Sequence, residues 1–284
     1  MGLLMLLPIA LVGSMMGSMV DAPFGSVVPE IPLPQAPLVF VVAQVRFERI
    51  ASIASEEFIA GFQEAIREVY PVMQREQQSG LLIGPDGRLV TADAGTVWKF
   101  DERPEAWQVT LSADAVALAT SHYTSRADFI GRLESVLSAA QTELRLRFCD
   151  RLGIRYVDRI TDEGLLARLP DLVRPEVIGS ATASLGEATV QQIHSFADTT
   201  YRLGDNSELH ARWGLLPART TLDPGIAAAE TKSWILDIDA YTRGQVTFDP
   251  GALRAQAEHL CERIYRFFRW AVNEEFLAAH GGQR

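Results

Sequence analysis

Arg151-Leu-Gly-Ile-Arg-Tyr-Val-Asp-Arg-Ile160 is the stretch whose reading decides the fold. Side chains of a strand point alternately to opposite faces, so Arg151, Arg155 and Arg159 share one face. Leu152, Ile154, Tyr156 and Ile160 share the other. One apolar and one charged face is the signature of a sheet covered on a single side. Just upstream, Trp107–Leu111 and Ala115–Tyr123 read as two more strands, and Arg126–Arg147 as a long amphipathic helix. Phe129, Leu133, Val136, Leu137, Ala140 and Leu144 form its stripe, and Ser125 with Asp128 makes a capping-box-like start.

Working outward, Leu38–Phe47 is an apolar strand. A first helix is expected over Glu56–Tyr70, with Ser55 as N-cap, Pro71 as the stop, and Phe58, Phe62, Ile66 and Val69 buried. Gln77–Thr96 is looser, with a turn at Asp86-Gly87, and Val97–Phe100 is a strand. Beyond residue 160, Thr161–Ser184 is broken by Gly164, Pro170, Pro175 and Gly179. Thr189–Leu203 and Glu208–Leu216 read as an antiparallel pair, Lys232–Tyr241 as a third strand, and Gln245–Phe248 as an extension of the sheet edge. Asp249 as N-cap and Pro250 at the first helical position open a last helix expected to run to Ala279.

The order predicts an α+β fold: antiparallel strands in one or two curved sheets packed against three long helices. Three strands followed by a long helix occur twice, so two similar halves are an option. Residues 1–35 are expected to form an apolar, Pro-rich leader outside the fold, with Pro at 23, 29, 32 and 34. Residues 36–284 form one domain, with a half boundary at 161–185.

The formal charge of −10 argues against a dominant role in binding nucleic acid, because phosphate affinity comes from Lys and Arg. Cys149 and Cys261 are the two cysteines, neither a disulfide framework nor a zinc spacing. They read as inert buried thiols. The apolar run Leu3–Val12 lacks a preceding basic residue and is too short to span a bilayer. The preferred reading is a start at Met16 or Met19 and a cytoplasmic chain with no membrane contact. Export or anchoring is the alternative if residues 1–22 form a genuine signal.

Ala36-Pro37-Leu38 leading a strand with Arg46-Phe47, Tyr70-Pro71 closing the first helix, and Trp107, Tyr123 and Phe129 around the second carry a resemblance. With Arg151-Leu-Gly-Ile-Arg-Tyr156 as its most specific part, residues 36–279 resemble a sporadically distributed family of uncharacterised bacterial proteins. The resemblance implies no activity and no catalytic residues. It does imply the mobile or defence-related gene context in which scattered families occur.

Chemistry is sparse. There is no phosphate loop, nucleophile elbow or His-Glu-x-x-His, and the five histidines are dispersed. His194 and His210 fall on neighbouring strands, where polar sheet roles outweigh metal ligation. Arg151, Arg155 and Arg159 form the one candidate ligand face, suited to gripping phosphate or carboxylate. The competing reading is an ion-pair ladder with Asp237 and Asp239, which share one face of the 232–241 strand. Those two aspartates are also a weaker candidate for a divalent cation. No cofactor is expected. The favoured function is a non-catalytic protein-interaction or accessory protein with a protein partner or self-association. One alternative is an enzyme or sensor holding a phosphorylated small molecule on the arginine face. Another is a chaperone-like peptide binder, should several of the five tryptophans line an exposed groove.

Overall fold

The computed structural model describes residues 22–83, 89–103, 106–182, 186, 190, 192–223 and 225–283. The expectations for residues 1–21 and the Asp86-Gly87 turn lie outside the described residues. Leu38–Arg46 forms β1, followed by helix α1 (Glu56–Ile66). A long hairpin of β2 (Val72–Ile83) and β3 (Leu89–Asp101) comes next. Then follow β4 (Trp107–Ser112), β5 (Ala115–Thr120) and helix α2 (Arg126–Leu144). The second half has β6 (Phe148–Cys149), β7 (Arg151–Ile160), and short helices α3 (Glu163–Ala167), α4 (Leu169–Leu172) and α5 (Pro175–Ile178). It continues with β8 (Ser195–Arg202), β9 (Ser207–Leu216), β10 (Ser233–Thr242) and β11 (Val246–Thr247). Helices α6 (Pro250–Ala271) and α7 (Glu274–Ala279) close the chain.

Nine strands make one sheet in the order β2-β3-β4-β5-β1-β7-β10-β9-β8, with every pairing antiparallel. The antiparallel α+β class expected from the pattern is therefore present. β1 and β7, the opening strands of the two halves, pair at the middle of the sheet. Each half reads strand, helical segment, meander of strands, long helix.

The period-two pattern explains which face is covered. Val41, Ala43 and Val45 of β1 lie opposite Tyr156, Ile154 and Leu152 of β7, and all point toward the helices. α2 packs against α1 and α6, and α6 lies over β7 and β10. The stripe of α2 is buried as the spacing predicts. Its first turn is held by the Ser125 hydroxyl, which accepts from the Asp128 N–H at 3.2 Å. α1 differs: Ile59, Phe62 and Ile66 are buried, whereas Phe58 and Val69 are exposed. The helix ends at Ile66, so Val69 falls outside the helical phase.

Further expectations need correction: the stretch Gln77–Thr96, expected to be loose, falls largely in β2 and β3. The leader is part of the fold over its described length. Phe24 packs against Tyr201 and Phe267, Ile31 and Leu33 join the core, and Gln35 donates its N–H to the His280 carbonyl. Proline prevents helix and ladder but not docking of an extended strap. The last helix breaks at Val272-Asn273, because Val272 forms a β-bridge with Val173 and Asn273 donates to the Asp171 and Val173 carbonyls. A tertiary bridge replaces helical hydrogen bonds there. Finally, β11 pairs with β6 in a separate two-stranded sheet and does not extend the main edge.

On the opposite face, β7, β9 and β10 carry Arg151, Arg155, Arg212, Asp237 and Asp239 beside one small apolar cluster. The connection between β9 and β10 folds back over it and sets Leu222 and Ile226 against Val157, Ile235 and Phe40. Among the described residues, no helix is long and apolar enough to cross a membrane.

Candidate functional site

Two sites bear on ligand binding: the arginine face on the open side of β7, and a cavity on its helix side. On the open side, the Arg155 guanidinium donates to both oxygens of Asp237, at 2.7 and 2.9 Å, and also to Asp223 in the folded-back connection. Arg212 of β9 pairs with the same Asp237. Burial alone would lower the Arg155 pKa, but its hydrogen bonds to Asp237 and Asp223 outweigh that and raise it. Arg151 donates to Asp239 at 2.9 Å and lies over the Tyr241 ring at 4.4 Å. Arg159 donates to the Ala227 carbonyl at 2.6 Å.

All three sequence-selected arginines therefore have partners within the chain. Asp237 and Asp239 do share one face, and both carboxylates are taken up by guanidinium groups. No group of three or more His, Cys, Asp or Glu suited to a metal ion occurs among the described residues. His210 of β9 pairs with Asp198 of β8 at 2.7 Å on the same polar face, and His194 precedes β8. Four of the five tryptophans, at 98, 107, 213 and 234, are buried in the core, so they form no exposed groove.

The helix side holds what the sequence reading missed. Asp158 falls on the same face of β7 as Leu152, Ile154, Tyr156 and Ile160, facing the apolar core. Its cross-strand neighbours are Leu38 on β1 and Leu236 on β10. It is 6% exposed, and no hydrogen bond or ion pair reaches its carboxylate from any described residue. Burial in this apolar setting pushes its pKa up to about 7.

Asp158 lines a cavity of about 460 Å³, within the size range of small-molecule sites. Five segments build the walls. The leader supplies Glu30–Pro34 and Ala36, and the turn before α2 supplies Ser121–Arg126. β7 with β10 supplies Tyr156, Asp158 and Ile238, and α6 supplies Cys261, Ile264, Tyr265 and Phe268. The leader is held in place there. The Ile31 N–H donates to the Tyr265 hydroxyl at 2.8 Å, that hydroxyl donates to the Pro29 carbonyl at 3.2 Å, and Glu30 pairs with Arg126. A bulge between Leu38 and Phe40, with the Arg159 N–H bonded to the Pro37 carbonyl, brings the leader off β1 beside Asp158.

At the floor, the Tyr156 and Tyr123 hydroxyls are 3.3 Å apart, and the Cys261 sulfur is 3.5 Å from Tyr156. Burial pushes the Cys261 thiol up to about 11 and Tyr123 up to about 12, and raises Tyr156 as well. These groups hydrogen-bond in neutral form at neutral pH. An aspartate at even phase in a strand whose other even positions are apolar was the signal available in the sequence.

No protein-family model matches the chain, and no curated protein matches it.

Proposed function

We propose that the protein is a non-catalytic accessory protein that acts by binding, with a small molecule held in the Asp158 cavity and a protein partner reading the outcome. One observation carries the reading: a buried carboxylate without a partner among the described residues lines a cavity of ligand size. A buried polar group left unsatisfied costs free energy unless something completes it. The neutral state of Cys261 and Tyr123 supports binding over covalent catalysis, because nucleophiles are activated by lowered pKa values, not raised ones.

The arginine face supports it from the other side. A phosphate there would have to displace Asp237, Asp223 and Asp239 from guanidinium groups they already satisfy. The partner role rests on β2 and β8, the two end strands of the sheet, each paired on one side only. The accessory setting, mobile or defence-related, rests on the family resemblance alone. The repeated order of the halves, each contributing its first strand to the central β1–β7 pair, supports an origin by duplication.

A second reading has one observation in its favour. A carboxyl group that titrates near neutrality suits general acid–base chemistry, which would make Asp158 a proton-transfer residue.

The test is native mass spectrometry of gently purified protein beside an Ile264→Phe variant, whose larger side chain narrows the cavity beside Asp158 at an expected cost of about 1–3 kcal/mol. A small-molecule adduct on the parent that is missing from the variant is the expected result. An adduct retained equally by the narrowed variant, or none on either protein, counts against the cavity as a ligand site.

A further inference from the structure

We propose that this cavity takes a small organic cation, a primary or secondary amine with an apolar body, its ammonium seated at the Asp158 carboxylate. The inference rests on the reading of the cavity as the ligand site and names its chemical class. Charge balance is the first argument. Among the residues lining the cavity, the formally charged ones are Glu30, Arg126 and Asp158, and Arg126 is already paired with Glu30. The unbalanced charge is that of Asp158. An anionic ligand would meet no free cation there, and a neutral one could hydrogen-bond the carboxylate but would leave its charge uncompensated.

Shape and lining give the second argument. Tyr123, Tyr156, Tyr265, Phe268, Ile238 and Ile264 offer aromatic and aliphatic surface for the body of such a molecule. Ring faces also attract cations, and the mouth already shows this: the Arg126 guanidinium lies over the Tyr265 ring at 5.8 Å. The leader forms one wall, and the low-dielectric protein around Asp158 strengthens a single ammonium–carboxylate pair.

The chemistry sets a pH dependence. The ionisable groups facing the cavity are Glu30 on the leader, and His122, Tyr123 and Arg126 before and at the start of α2. Tyr156 and Asp158 on β7, with Cys261 and Tyr265 on α6, complete the set. Tyr123, Tyr156 and Cys261 stay protonated through neutrality, and the His122 ring lies 3.1 Å from the Ser121 hydroxyl at the exposed rim. Asp158, pushed up to about 7, changes charge between pH 6 and 8. Amine binding then displaces its proton below pH 7.

Calorimetric titration of the full chain with phenethylamine, against phenethyl alcohol and phenylacetate as neutral and anionic counterparts, tests this at pH 6 and pH 8. Probes reach roughly 10 mM, since a Kd near 1 mM corresponds to only about −4 kcal/mol. The expected result is saturable amine binding that tightens roughly tenfold from pH 6 to 8, with the alcohol weaker and insensitive to pH. Asp158→Asn, a neutral isostere, should lose the amine preference and keep the alcohol. Alcohol binding equal to amine binding in parent and variant overturns the cation assignment while leaving the cavity a ligand site. Tighter phenylacetate binding overturns it as well. No saturable binding of any probe overturns both readings.

Discussion

The guanidinium of Arg151 occupies the space that a side chain at position 153 would fill. A Cβ built on Gly153 would stand 2.6 Å from a terminal nitrogen of Arg151. Because position 153 is bare, Arg151 lies along its own strand, stacks on Tyr241 and reaches Asp239. Arg155 stands directly across from Asp239 yet hydrogen-bonds Asp237, the diagonal neighbour, so Arg151 and Arg155 use different aspartates of β10. The Arg-Leu-Gly-Ile-Arg order thus has a steric reason. Gly153→Ala should displace Arg151, a flexible chain end, at a cost of about 1 kcal/mol, leaving the fold intact. A double-mutant cycle by urea unfolding should find an Arg151–Asp239 coupling of up to about 1 kcal/mol in the parent and near zero in the Gly153→Ala background. Equal coupling in both backgrounds would show that Gly153 is not what admits the guanidinium.

Asp237 is the hub of the polar face. It is 2% exposed and serves both Arg155 and Arg212. Removing it takes the carboxylate from Arg212 and leaves Arg155 with Asp223 alone, so Asp237→Ala should cost about 3–5 kcal/mol. Asp223 is more exposed and holds Arg155 from outside, so Asp223→Ala should cost about 1 kcal/mol or less. Chemical denaturation of the two variants decides it, and similar small losses would refute a shared network.

Stability should fall as pH rises through neutrality because of Asp158. Its carboxyl has an ordinary value of 3.8 and is pushed up to about 7 in the folded chain. Between those limits the folded state holds a proton that the unfolded state releases. Its contribution is therefore complete at the acid end of the window and is lost as pH rises toward and through 7, by up to about 4 kcal/mol. Asp158→Asn should remove this slope and be more stable than the parent at pH 8. Unfolding free energies at pH 5 and pH 8 for both proteins give the answer, and parallel profiles would mean that the carboxyl is solvated.

Tyr265 ties the leader to α6 through one hydroxyl that accepts from Ile31 and donates to Pro29. Tyr265→Phe should cost about 1 kcal/mol and speed amide exchange at Ile31 roughly tenfold. Unchanged exchange at Ile31 would show the strap to be held by its apolar contacts alone.

Local pattern carried much of this architecture. The faces of β7 follow from alternation, and the α2 stripe and the Asp249-Pro250 start of α6 follow from helical spacing and capping. The pairing of Arg155 with Asp237 and of Arg151 with Asp239 is one of the two options the sequence leaves open, since like-spaced opposite charges on two strands suggest a ladder. The phase of α1, the break at Val272 and the docking of the leader were not legible. Each depends on contacts with segments far away in the chain.

Asp158 marks the division most clearly. Its position on the inward face of a strand is a property of the sequence, because side-chain direction follows residue parity wherever a strand forms. Whether an inward carboxylate meets an arginine, packed hydrocarbon or an open cavity is set by the chain segments that cover it. Here those are α6, the turn before α2 and a Pro-rich strap, separated in sequence and brought together by burial of their apolar sides. Burial is non-directional and sums over the whole molecule, so it left no local mark beside residue 158.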